Sequence, residues 1–284
     1  MKKLLVALLA IYAASPSAAP QVFRAATDVV EVDVAVRAGK TPVKGLTAAD
    51  FELLDNGIRQ SIEAVVIEEV PVDLTLILDV SPSTVSVVDR FRARAQQIVA
   101  MLRQTDQVRL ITFATEIIEL VPYRAGGAAL KDSRVSSGNT TSLHDALLLS
   151  LMQTPTHGRR RLVVAFTDGI DTASVVDAAT VSSVARRAES VLHVVLAGYP
   201  GALPPTAKSL RAAAEETGGE LHEPGEFEDA VDGFKRVFED FRQSYVLRYT
   251  LSGVTRYGWH DIAVNLKKTD KRHTVRAKRG YFGG

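Results

Sequence analysis

The chain has 284 residues, 46% apolar and 24% charged, which excludes wholesale disorder and leaves room for one α/β domain with a smaller appendage. A formal charge of +1 gives no global electrostatic reason to bind nucleic acid. Without cysteine, neither a disulfide framework nor a lipidated N-terminal cysteine is available.

Lys2 and Lys3 precede the apolar run Leu4 to Ala14, and small residues follow through Ala19. That order reads as a secretory signal peptide, assigned to residues 1–21, because the run falls short of the about 20 apolar residues a membrane-spanning helix needs. Its removal lowers the formal charge by two, and the mature chain is expected to be secreted or periplasmic and to lack a transmembrane segment. Residues 22–71 read as an N-terminal β segment. Val30, Val32, Val34 and Val36 alternate with Glu31, Asp33 and Arg37, the period of a half-buried strand. Asn56-Gly57 between apolar positions then predicts a hairpin. This segment is too small for a core of its own and needs a partner.

From residue 72 the pattern changes. VDLTLILDV, VRLITFA (108–114), RRLVVAFTD (160–168) and VLHVVLAG (191–198) are continuous apolar runs, as in strands covered on both faces. EIIELVPY is expected to pair beside the second of them. Helical spacing marks 84–104, 142–153, 175–189, 205–217 and 226–243, the fourth stopped by Gly218-Gly219. Strands alternating with helices predict a doubly wound, mostly parallel α/β sheet over residues 72–243. Residues 244–284 return to β patterning in three runs and are expected to pack with the N-terminal segment as a small β-sandwich-like unit.

The first buried strand ends in Asp79-Val80-Ser81-Pro82-Ser83, a carboxylate and two hydroxyls at a strand end, where doubly wound sheets bind ligands. Mg²⁺ wants such hard oxygen ligands. Taken alone, the segment suits helix capping better than metal binding. Two others join it at the same kind of junction: Ser137-Gly138-Asn139-Thr140-Thr141-Ser142-Leu143, and Phe166-Thr167-Asp168-Gly169. In a parallel sheet, strand ends of this kind share one edge.

LILDVSPS, GNTTSLHDAL and AFTDGIDTAS together resemble the three metal-binding loops of von Willebrand factor type A domains, the metal-ion-dependent adhesion site, in order and spacing across residues 72 to about 243. The resemblance implies Asp79, Ser81, Ser83, Thr141 and Asp168 as metal ligands, with Thr141 preferred because Thr141, Leu143, Asp145 and Ala146 fit the Thr-x-Leu-x-Asp-Ala pattern. The flanking segments are similar to those of a secreted bacterial group of proteins related to this domain. The function so implied is a non-enzymatic, adhesion-type binding module. It would hold Mg²⁺, with Mn²⁺ or Ca²⁺ as alternatives, and capture an Asp or Glu carboxylate of an extracytoplasmic protein partner. A metal-stabilised scaffold in an envelope assembly is the alternative, and a metal-dependent hydrolase ranks below both.

Other signals read as structural. No P-loop or GxSxG elbow occurs, and Ser81 stands where a phosphotransferase of the haloacid dehalogenase type would carry its second Asp. Asp145 and Asp171 read as caps or solvated residues, His144 as exposed on its helix, and His193 as packed within a strand. Arg159-Arg160-Arg161 reads as a solvated approach to a strand. The run Lys267, Lys268, Lys271, Arg272, Arg276, Lys278 and Arg279 reads as edge-strand charge that discourages aggregation. Tyr281 and Phe282 are expected to pin the last strand.

Overall fold

A computed structural model describes residues 29–67, 70–84, 89, 97–98, 100–125, 138–153, 156, 158–197, 201–226, 230–268 and 273–284. The expected signal peptide lies outside these residues, as does most of the helix expected over 84–104.

Six strands form the central sheet: β6 (Val72–Asp79), β7 (Gln107–Phe113), β8 (Ile117–Ala125), β9 (Arg160–Thr167), β10 (Ser190–Leu196) and β11 (Glu220–His222). Their order is β11-β10-β9-β6-β7-β8, all parallel except β8, which runs antiparallel to β7 at one edge. The chain order reverses on the two sides of β6, which makes the end of β6 the switch point. Every residue of β6 and β9 is buried, the reason both read as unbroken apolar runs.

Side chains alternate across the sheet, so each face has its own core. Leu74, Leu76 and Leu78 pack with Phe234, Phe238 and Phe241 of α4 (Ala230–Gln243). Full burial contributes roughly 1.5–3 kcal/mol for a Phe side chain, so α4 is anchored by its aromatic stripe. Ile77, Ile111 and Phe113 face α1 (Leu143–Leu151), α2 (Ala178–Arg187) and α3 (Ala207–Glu216) through Leu147, Ala185 and Leu210.

The remaining strands form two antiparallel sheets packed face to face. One holds β14 (His273–Ala277), β1 (Val29–Ala38), β12 (Tyr245–Thr250) and β5 (Ile62–Ile67) in that order, with β2 (Thr41–Pro42) on β1. The other is β15 (Gly280–Gly283), β13 (Gly258–Leu266), β3 (Phe51–Asp55) and β4 (Ile58–Gln60). Val32, Val34, Phe51, Leu53, Tyr245, Leu247 and Tyr249 fill the space between them. N- and C-terminal segments are interleaved: β1 pairs with β12 and β14, and β3 with β13. The β3–β4 hairpin turns on Asn56 (φ 48°) and Gly57 (φ 78°), the left-handed pair that such a two-residue turn demands.

Three expectations need correction. Residues 273–283 form two strands in different sheets rather than one run, with the chain crossing between sheets at Lys278-Arg279. Arg160 and Arg161 are 6% and 5% exposed rather than solvated. Arg160 donates to Asp33 Oδ1 at 2.7 Å and to Ser244 Oγ at 2.6 Å and stacks 4.0 Å over Phe241; Arg161 donates to the Gln153 carbonyl. The basic C-terminal run is not simply edge charge, because Arg276 pairs with Glu220 and Arg279 with Glu215, joining the sandwich to the central domain. Arg37 of β1 completes this interface with Glu220 and Asp240. Tyr281 hydrogen-bonds Asp55 at 3.1 Å and stacks on His260, which ties down β15. Among the described residues, no helix is long and apolar enough to cross a membrane.

Candidate metal centre

Asp79 is the last residue of β6 and is 2% exposed. The chain then turns sharply enough for Ser81 N–H to donate to Asp79 Oδ1 at 3.0 Å. The Ser81 and Ser83 hydroxyls lie 3.1 Å apart, the first buried and the second exposed. This segment therefore presents two hydroxyls beside one buried carboxylate.

Two threonines that the sequence reading missed hold Asp79. Thr167 donates to Oδ2 at 2.7 Å, and its own hydroxyl oxygen accepts the Gly169 N–H at 3.0 Å. The Thr84 hydroxyl lies 3.2 Å from Oδ1, 2.7 Å from the Asp79 carbonyl and 3.0 Å from the Ser81 carbonyl. The available clue was a hydroxyl at the last position of β9, after the apolar run 162–166 and immediately before Asp168.

Asp168 follows β9 and accepts the Ile170 N–H at 2.9 Å. Burial raises the Asp79 pKa above the usual carboxylate range, donors from Ser81 and Thr167 oppose that shift, and the Asp168 charge adds to it. Gly169 (φ 80°) turns the chain away; a Cβ there would stand 2.5 Å from Pro204 Cγ, so the position needs glycine.

Thr141, 5% exposed, lies on the loop before α1. Its N–H donates to Thr172 Oγ1 at 2.8 Å, and its carbonyl accepts from Thr172 and Ala173. The Thr141 loop is thus stitched to the one that follows Asp168. The neighbouring hydroxyls differ: Thr140 Oγ1 donates to Thr115 Oγ1 at 3.0 Å, whereas Thr141 Oγ1 makes no hydrogen bond among the described residues. The loop approaches closely because Gly138 has no side chain; a Cβ there would meet the Thr115 amide nitrogen at 2.7 Å.

Asp171 and Asp145 act as caps in space. Asp171 accepts from His144 N and the Ser174 hydroxyl, and Asp145 from the Val175 and Val176 amides. The loop so formed covers His144, whose side chain is 12% exposed and lies 3.4 Å from Asp171, in place of the exposed position expected for it. His193 is packed as expected, with Nδ1 3.2 Å from His222 Nε2.

The donor set suits a hard divalent cation. Neither Asp79 nor Asp168 has a Lys or Arg within ion-pair reach among the described residues, and the groups around them are hydroxyls rather than the thiolates or imidazoles that softer ions prefer. No group of three His, Cys, Asp or Glu side chains is placed to hold a metal ion among the described residues, so carboxylate plus hydroxyl is the chemistry on offer at this edge.

No known sequence-family profile and no curated protein matches the chain. Solved structures do. The ArnB paralog VWA2 of Sulfolobus acidocaldarius superposes with a TM-score of 0.51 at 12% identity, over 87% of this chain and 75% of that one. Proximal thread matrix protein 1 of the mussel byssus, with a zinc-occupied MIDAS motif, gives 0.53 at 16% identity, over 66% of this chain and 50% of its own. A von Willebrand factor type A protein of Catenulispora acidiphila gives 0.49 at 12% identity, over 84% and 75%.

Proposed function

We propose that this chain, which has the von Willebrand factor type A fold, is a non-enzymatic binding module of the extracytoplasmic space. Asp79, Ser81, Ser83, Thr141 and Asp168 hold a divalent cation, Mg²⁺ first, and the bound cation captures an Asp or Glu carboxylate of a protein partner. The observation that carries this reading is a pair of carboxylates, one buried, beside the hydroxyls of Ser81 and Ser83 at the switch point of the sheet, with no Lys or Arg paired to either acid among the described residues. Two carboxylates formally balance the ion, while neutral hydroxyls leave it electrophilic toward a third. The occupied MIDAS motif of the mussel protein supports the assignment through the shared fold. The small ligand number favours Mg²⁺ or Mn²⁺ over Ca²⁺, which takes six to eight oxygens.

Binding rather than catalysis is supported by where the candidate acid–base groups are spent. Asp171 is committed to a backbone amide and Ser174, and the His144 side chain is enclosed beside it, with Nδ1 3.4 Å from Asp171 Oδ2. Calorimetric titration of metal-stripped protein with Mg²⁺ and Mn²⁺ tests the reading. Saturable one-site binding that disappears in Asp79→Ala is the expected result. A folded wild type that takes up neither ion overturns it, and partner capture that survives EDTA moves the function to a metal-independent scaffold.

A further inference from the structure

The loops around the candidate metal centre carry an unusual charge pattern. The segments 79–84, 138–142, 168–177 and 201–206 contain no Lys or Arg, and every charged residue in them is acidic: Asp79, Asp168, Asp171 and Asp177. Large apolar side chains stand exposed on two of these loops. Ile170 is 40% exposed, Leu203 48% and Val175 93%. Their backbones are fixed: the Thr206 hydroxyl donates to the Gly169 carbonyl, Gly169 packs against Pro204, and Asp145 holds the Val175 and Val176 amides.

From this pattern we infer that the ligand is a protein segment bearing a single carboxylate flanked by large apolar side chains, with Ile170, Leu203 and Val175 as the apolar half of the docking surface. The inference rests on the proposed metal centre and specifies what it binds. With no basic side chain on these described loops, the cation is the positive charge they offer to a carboxylate. A second or third acid on the partner would meet loops whose charged residues are all acidic, with Asp177 exposed, and like charges brought together select against it. Apolar flanks, by contrast, cover side chains already exposed on backbone already held in place, so little backbone ordering is needed on contact.

The test uses the mature protein in Mg²⁺ and beads densely coated with one of four peptides: Leu-Asp-Leu, Ser-Asp-Ser, Asp-Asp-Asp or Leu-Asn-Leu between glycines. Leu-Asp-Leu is expected to bind at least about tenfold more tightly than the other three, since apolar contacts of this size discriminate by one to two orders of magnitude. EDTA should abolish binding. The double variant I170S/L203S alters exposed positions only; it should keep wild-type Mg²⁺ binding in calorimetry and lose the preference for Leu over Ser. Equal, metal-dependent binding of Leu-Asp-Leu and Ser-Asp-Ser overturns the apolar surface and leaves the metal centre standing. Stronger binding of Asp-Asp-Asp, binding of Leu-Asn-Leu equal to that of Leu-Asp-Leu, or no binding by metal-loaded protein also overturns it. Absence of Mg²⁺ uptake by the folded wild type identifies the metal centre itself as the failure.

Discussion

The two ends of the central strands treat carboxylates in opposite ways. At the end where β6 and β9 begin, Asp73 meets Arg159, Asp106 meets Arg242 and Asp33 meets Arg160. At the other end, burial and, to a lesser extent, the Asp168 charge raise the Asp79 pKa, and neither acid is paired with a basic side chain among the described residues. A pair built within the chain is complete and stabilises the folded state, so that end serves as an attachment surface for the β-sandwich. The contrast separates acids paired within the chain from the two assigned to the proposed metal centre.

Breaking the completed end has the largest expected effect. Arg160→Ala strips the guanidinium from Asp33, Ser244 and Phe241 and should cost about 3 kcal/mol in urea unfolding, because removing one partner leaves a part-buried charge uncompensated. A loss below about 0.5 kcal/mol, within the range of exposed pairs, would mean that this end is no better built than ordinary surface. Filling the other end should come next. Mg²⁺ at one hundred times its dissociation constant should stabilise the wild type by about 2.7 kcal/mol and Asp79→Asn by nothing. Without metal, Asp79→Asn should equal or exceed the wild type in stability, because it removes a buried charge disfavoured by burial and by Asp168.

Smaller effects sharpen the comparison. Beneath the sandwich, His193 lines a cavity with Asp33, Asp240 and Arg276. Burial first, then His222 and the two arginines Arg276 and Arg37, hold its pKa well below 6.5. The unfolded chain therefore binds a proton that the folded chain refuses. The His193 contribution is complete above pH 6.5 and declines as pH falls below it, by at most about 1.4 kcal/mol per unit. Unfolding free energies measured from pH 7.5 to 5 should show that slope, and His193→Gln should flatten it. Smallest is the threonine pair: Thr141→Ala should weaken Mg²⁺ binding about tenfold and Thr140→Ala hardly at all. The reverse order in calorimetry would exchange their roles.

Much of this was legible in local pattern. Alternating valines gave β1, unbroken apolar runs gave β6, β9 and β10, and Asn56-Gly57 gave the β3–β4 turn, because each signal lies within one element. The three loops of the proposed metal centre were found for the same reason, since each is a contiguous motif, two of them at the ends of β6 and β9 and the third before α1. What was not legible depends on contacts far apart in sequence. Arg160 is buried because Asp33 lies 127 residues before it, so charge alone suggested surface. The split of residues 273–283 follows from β1 and β13 claiming adjacent segments for different sheets. Thr84 and Thr167 went unnoticed because a hydroxyl beside a motif carries no pattern of its own.

One feature of the topology bears on how the molecule carries load. The α/β unit lies between β5 and β12, and these strands are hydrogen-bonded neighbours, with Ile67 opposite Tyr245. Only Ser244 separates α4 from β12. The unit is thus a closed excursion whose two ends meet at one seam, while the edge that carries Asp79 and Asp168 lies at the opposite end of its strands from that seam. Tension applied at that far edge would reach the sandwich through both chain crossings, and β12, interior to its sheet and bonded to β1 as well as β5, anchors the second of them on both sides.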